Sequence, residues 1–425
     1  MPQHIVIVLS ILLLNIVVAR PANYPLTIAP IFMVWFLATF FRPFSLEKRR
    51  ALPVAGILLA LPLINGFQVW SGQSELEGFA RVYLLWFFFV SSIVIATSAQ
   101  IRVANSATEK AAGIALVGLT VIMTLQITFA YAFKDTSLFS MLDKVRFGGP
   151  VDLSRFAVLG RIRPLGLYFE PSIAALVMLT LITVLLLRDK LFTAVGLVGA
   201  AGVVITTSFS GYIGLAVLLS GVAFGKTTGA LGPSAYPPRR PLIWVAALAG
   251  FVLFYNSCQG DAVSPVTRSH EVSQTITSGH ATSTYERIVQ PALILRDVVW
   301  DHPSGVAFGR VPRPEFQPFS YRLDNGAIAW CTLNNGFYLL IFYFGWIGIL
   351  GLLCGLSWLF IQAIRNREFH RLILLLYIVL SFGITGMILR PEYLALLLVV
   401  ILQYRISSGL HRDREKLAGI GAEKA

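Results

Sequence analysis

Two stretches of this chain place arginine beside carboxylate, glycine and proline in patterns suited to phosphate and sugar chemistry. The first reads Arg161-Ile162-Arg163-Pro164-Leu165-Gly166-Leu167-Tyr168-Phe169-Glu170-Pro171-Ser172. Guanidinium presents a planar fork of donors that matches phosphate bidentately, and it tolerates partial desolvation better than ammonium. Pro171 suits the first position of a helix, where its missing N–H costs nothing. Glu170 then stands at the helix start, where the dipole favours a carboxylate. The segment therefore reads either as a charged helix cap or as a carboxylate held among arginines, able to orient or deprotonate a hydroxyl.

The second stretch spans 257–333 and contains Arg287 and Arg310, with Glu286 and Asp301 as further carboxylates. Together the segments 134–168 and 257–333 hold twelve basic residues, ten of them arginine. Either these solvate anionic lipid headgroups, or some of them grip a phosphate-bearing ligand at a membrane surface. Ser210, in the polar turn Thr206–Gly211, and the pair Asn334 and Asn335 add uncharged donors and acceptors. His270, His280 and His302 read as surface residues. Arg390, Pro391 and Glu392 form a charged turn that caps two helices or faces the same site. Trp330, Tyr338, Tyr343 and Trp346 suit an interfacial aromatic belt, with sugar stacking as the alternative.

The elements that must carry these residues are membrane helices. Hydrophobic residues make up 56% of the 425, and charged residues only 13%, about half the usual share of a soluble domain. On a ruler of about 20 apolar residues per span, the chain predicts an all-α bundle of about twelve transmembrane helices. They fall near 4–19, 22–41, 51–70, 80–98, 111–133, 169–187, 191–206, 210–225, 241–256, 334–362, 371–388 and 391–406. The N-terminal run has no basic residue before it and no small-x-small cleavage site after it, so it is expected to stay as the first helix. The whole chain, 1–425, is expected to form one integral membrane domain.

Charge sets the expected orientation. The short segments 42–50, 188–190, 226–240 and 363–370 are basic, whereas 71–79 carries Glu75 and Glu77. The positive-inside rule then predicts both termini in the cytoplasm and both arginine-rich segments on the outer face of a bacterial inner membrane. The formal net charge of +13 follows from this topology and signals no nucleic-acid partner. Cys258 and Cys331 flank the large outer loop, and Cys354 lies in the tenth predicted span. On an oxidising face the first two either pair as a disulfide or remain half-buried thiols. No Cys/His spacing suggests zinc. No Walker loop or Rossmann fingerprint suggests a nucleotide, so neither a metal nor a cofactor is expected.

The first stretch resembles the bacterial O-antigen and exopolysaccharide polymerase family, part of the O-antigen ligase superfamily. Arg163, Gly166, Glu170, Pro171 and Ser172 match its Arg-x-x-Gly, aromatic, Glu-Pro-Ser pattern. Ser208, Ser210 and Gly211 match a Ser-rich turn between helices. Arg287, Pro303, Gly305 and Gly309 match an arginine followed by proline and glycines in the large loop. Asn334 and Asn335 precede Gly345, Gly348 and Gly351, as a polar pair precedes a glycine-bearing helix in the family. The ligase branch tends to carry His where Asn334 stands, which favours the polymerase branch over a ligase. A flippase or other transporter is the non-enzyme alternative, but the centres of the predicted spans carry almost no ionisable residues.

The resemblance implies a metal-independent membrane glycosyltransferase. It would polymerise undecaprenyl-pyrophosphate-linked repeat units at the periplasmic face. Arg163, Glu170 and Arg287 are expected to carry the chemistry, and Arg161, Arg310, Asn334, Asn335 and Ser210 to bind substrate. Expected partners are the lipid-linked glycans, a chain-length regulator, the flippase of the same pathway and membrane lipids.

Overall fold

The computed structural model describes residues 3–13, 17–19, 26–42, 51–70, 76–102, 106–133, 157–158, 161–162, 164, 166–168, 171–191, 193–206, 208–227, 290–308, 321–322, 328–329, 335–385 and 388–423. They are mostly helical. The helices are α1 (Gln3–Leu12), α2 (Ala29–Phe40), α3 (Ala51–Ala60), α4 (Phe67–Trp70), α5 (Leu76–Ser98), α6 (Ala107–Ala132), α7 (Pro171–Leu186), α8 (Ala194–Ile205), α9 (Phe209–Thr227), α10 (Gln290–Asp301), α11 (Gly336–Arg365), α12 (Phe369–Ile384) and α13 (Pro391–Glu423). Four two-stranded antiparallel ladders of two or three residues per strand are the sheet structure among the described residues.

Leu76–Ser98, Ala107–Ala130, Gly336–Arg365 and Pro391–Gly409 are each long and apolar enough to cross a membrane. Seven shorter apolar helices accompany them. Every predicted span except 241–256 coincides with one of these segments; that one lies outside the described residues. Some predicted spans are interrupted. The first is helical only to Leu12, after which Val17–Ala19 pairs with Leu26–Thr27, as suits the β-branched Val17 and Val18. The third, 51–70, breaks into α3, a 3₁₀ turn at Leu61–Gly66 and α4. Pro62 lacks the N–H that would continue the α-helix there.

Helix α7 is the hub. All but one of its residues are buried, the pattern of a helix apolar on every side. It packs against α6, α8, α9, α12 and α13. Apolar packing alone gives little register in lipid, where hydrocarbon is as apolar as leucine, so interhelical hydrogen bonds matter. Thr180 Oγ1 lies 2.9 Å from Tyr377 Oη, joining α7 to α12. Ser381 Oγ lies 2.7 Å from Tyr393 Oη, joining α12 to α13.

Polar contacts collect at the two ends of the bundle. At one end Phe41–Arg42 pairs with Gln100–Ile101, and Gln3 Nε2 donates to Arg102 O at 2.9 Å. There too Arg188 and Glu109 form an ion pair at 3.5 Å. Arg405 donates to the carbonyls of Ala96 and Ala99 at the C-terminus of α5, where cations are favoured. These contacts join the N-terminus, 42–50 and 188–190, which charge patterning assigns to one face, with the segment after α5 and with α13. The other end gathers the turn before α7 and the starts of α11 and α13.

Candidate functional site

The described part of the Arg161–Ser172 stretch is held by two long-range contacts at the end of the bundle opposite Arg405. Gly166 has φ +60°, a left-handed conformation that suits glycine. Gln126, buried near the C-terminus of α6, closes on it from both sides. Its Nε2 donates to Gly166 O at 3.0 Å, and its Oε1 accepts from Gly166 N at 2.9 Å. Two residues on, buried Tyr168 donates through Oη to Ile11 O at 3.1 Å, at the end of α1. Pro171 and Ser172 then enter α7, both buried. Arg-x-x-Gly spacing thus has a physical basis: the glycine is the fixed point from which Arg163 and Glu170 depart in sequence. Arg163 and Glu170 themselves lie outside the described residues. Arg161 contributes backbone to the ladder of Ala157–Val158 with Arg161–Ile162.

A second braced unit comes from the large loop. Helix α10 buries Leu295 and Val299 and exposes Arg296 and Trp300, the two-faced pattern of an amphipathic helix. The chain then turns into the bundle through His302–Phe308, with Val306, Ala307 and Phe308 buried. Phe308 meets Phe79, Trp86, Tyr343 and Phe344 with ring centroids 4.7 to 6.2 Å apart. This hairpin sits where α11 is broken. Gly345 has φ +54° and ψ −133°, and Gly305 has φ +89°. Trp346 N donates to Pro303 O, and Val306 N to Phe342 O, both at 2.9 Å. A Cβ on Gly345 would lie 2.2 Å from Pro303 O, and one on Gly305 would lie 2.3 Å from Tyr343 O. Both glycines are therefore required for the two backbones to touch.

Asn65, buried in the 3₁₀ turn, locks the junction. Its Nδ2 donates to Ser304 O at 2.9 Å and to Tyr343 O at 3.3 Å, and its Oδ1 accepts from Ser304 Oγ at 3.1 Å. Sequence reasoning passed over Asn65. The available signal was an amide inside an apolar segment, which a membrane bundle must satisfy internally. Arg287 precedes α10 by three positions and Arg310 follows Phe308 by two; both lie outside the described residues, as do Asn334, Cys258 and Cys331.

Asn335 and Ser210 also make hydrogen bonds within the fold. Asn335 caps α11 with Oδ1 accepting from Phe337 N at 3.0 Å, and its Nδ2 donates to Gly383 O at 3.4 Å. Ser210 Oγ lies 2.9 Å from Ser208 Oγ at the start of α9, beside Gly211, which abuts Ala175 one turn into α7. Glu392, in the first turn of α13, accepts a hydrogen bond from the Thr27 hydroxyl through Oε1. Its Oε2 is buried without a partner. Cys354 is a free thiol on the exposed side of α11.

One end of the bundle thus holds two braced turns from the arginine-rich segments, a serine turn and a carboxylate with one buried oxygen. The family model for WcaD colanic acid polymerases matches residues 2–406. The chain belongs to the WcaD colanic acid polymerase family. Across 407 residues it is also 25% identical to a candidate colanic acid polymerase of Escherichia coli (strain K12), an alignment that covers 92% of this chain and 94% of that one. Membership in the WcaD family makes this a membrane-embedded enzyme of exopolysaccharide repeat-unit polymerisation, acting by glycosyl transfer. It bears out the resemblance to exopolysaccharide polymerases drawn from Arg163, Gly166 and Glu170.

Proposed function

We propose that this protein joins repeat units carried on undecaprenyl pyrophosphate at the periplasmic face of the inner membrane, with both termini in the cytoplasm. The donor's leaving group is a lipid pyrophosphate, on which negative charge builds as the glycosidic bond to it breaks. Preorganised guanidinium groups stabilise such charge without reorganising at the moment of reaction. Arg163 and Arg287 take that role, with Arg161 and Arg310 extending the grip. The attacking group is a hydroxyl of a second lipid-linked unit, which Glu170 orients or deprotonates. Ser210, Asn334 and Asn335 belong to the surrounding sugar-binding surface. The pyrophosphate linkage supplies the driving force, so neither a nucleotide nor a metal is needed in this scheme. A flippase delivers the units, and a chain-length regulator sets how many are joined.

The observation that carries this reading is the bracing of Gly166 by Gln126. It fixes Gly166 at the end of the bundle, three positions after Arg163 and four before Glu170 in sequence. The test is deletion of the gene followed by analysis of the lipid-linked glycan that accumulates. Single repeat units are expected in the deletion strain, and long lipid-linked polymer there would indicate a ligase instead. Complementation with Arg163→Ala or Arg287→Ala should leave protein in the membrane and no polymer. Wild-type chain length from both variants would remove these arginines from the mechanism.

A further inference from the structure

We infer that Glu392 is a second carboxylate of the reaction centre, binding the attacking sugar hydroxyl through Oε2 and taking its proton. The inference rests on the proposed reading of polymerisation and adds a residue to it.

The first ground is hydrogen-bond accounting. Ionised carboxylate oxygens accept several hydrogen bonds, and a buried polar atom left without one is a rarity that calls for a reason. Oε1 of Glu392 receives the Thr27 hydroxyl. Oε2 is buried and receives nothing. Arg390, two residues earlier, is exposed, and no ion pair to Glu392 is present among the described residues. A hydroxyl-rich ligand would supply the donor that the protein withholds.

The second ground is register. Helices α7 and α13 pack together, and Ser407 Oγ donates to Leu187 O at 2.6 Å. Pro171 lies sixteen residues before Leu187, and Pro391 sixteen before Ser407. At 1.5 Å per residue, both helices begin about 24 Å from that shared contact. Helix α12 confirms that they run parallel. Its Tyr377 meets Thr180 of α7, while Ser381, one turn further along, meets Tyr393 of α13. Glu392 therefore stands level with the first residues of α7, about 8–10 Å away across a helix–helix contact. That is the end of the bundle at which Gly166 and Tyr168 are held.

The chemistry balances. The acceptor hydroxyl oxygen bonds to the donor's anomeric carbon. The bond from that carbon to the pyrophosphate oxygen breaks, and its electron pair leaves on the pyrophosphate held by arginine. The hydroxyl proton passes to Glu392 Oε2 and from there to the outer aqueous phase. Glu170 is left with the orienting role.

The test uses the full chain in proteoliposomes, supplied with lipid-linked repeat units purified from the deletion strain. Glu392→Gln preserves shape and the acceptor for Thr27 but takes no proton. It is expected to bind the lipid-linked unit as the wild type does while polymerising at least ~100-fold more slowly, the usual worth of a positioned proton acceptor. A rate within threefold of wild type would overturn the inference. Failure of this isosteric variant to accumulate in the membrane would assign the carboxylate to folding and overturn it too. Arg163→Ala run alongside separates the two ideas. If it is inactive while Glu392→Gln is active, only the role of Glu392 falls; if it is active, the underlying reading falls.

Discussion

A buried amide is costly unless both of its ends are used, and Gln126 spends both on Gly166. Replacing it with leucine would remove both hydrogen bonds and set an apolar side chain against a left-handed glycine. Losing two such hydrogen bonds costs about 1–3 kcal/mol. Gln126→Leu is therefore expected to lower the detergent melting temperature and to reduce polymer yield, although Gln126 contacts no substrate in this scheme. Calorimetry and polymer analysis on the same preparation check this, and unchanged stability with full yield would show that Gly166 needs no brace. The pattern Arg163-x-x-Gly166 was legible in the sequence because spacing is local. Its partner, forty residues away in α6, was not, since nothing in an apolar segment tells which neighbour a glutamine will meet. Glu392 was visible as a charged turn, but its burial depends on the packing of α2 and α13.

Among the elements, α11 shows how a break can be used. A thirty-residue helix is about 45 Å long at the standard rise, well beyond a hydrocarbon core of about 30 Å. The left-handed backbone at Gly345 interrupts it and frees main-chain groups that Pro303 and Val306 then engage. Asn65 completes the junction from a third segment. Asn65→Ala would remove three hydrogen bonds, two to Ser304 and one to the Tyr343 carbonyl. The expected loss is about 1–3 kcal/mol, read as a lower melting temperature together with weakened polymerisation. A variant as stable and as active as wild type would show that the hairpin is held by its aromatic contacts alone.

The hairpin was legible only in fragments. Pro303 and Gly305 marked a turn, and Gly345 marked a helix, but the sequence held no sign that the two turns touch. The four longest helices could be read from apolar length alone, because in lipid the backbone must satisfy itself internally. The early end of α1 could not, because an apolar run serves a helix and a β-ladder equally well.

For the whole molecule, the separation of polar contacts into two ends is the architecture of a membrane bundle. The N-terminal segment, Phe41–Arg42 with Gln100–Ile101, Glu109 with Arg188, and Arg405 share one end. Gln126 with Gly166, Asn335, and Thr27 with Glu392 share the other. Positive residues concentrate on the first, which charge patterning assigns to the cytoplasm. A fluorescent protein fused after Ala425 is expected to fluoresce, and alkaline phosphatase inserted within 257–333 is expected to be active. The reverse pattern would invert the bundle and place the proposed chemistry on the wrong face.

The most direct measurement is made on purified protein in proteoliposomes supplied with only lipid-linked repeat units. The account predicts glycan growth with release of one lipid pyrophosphate for each glycosidic bond formed. It predicts that Arg163→Ala and Arg287→Ala each slow that release by at least ~100-fold, as loss of a preorganised charge-stabilising group does. Release at the wild-type rate from both variants, or polymer growth without release of lipid pyrophosphate, would contradict it.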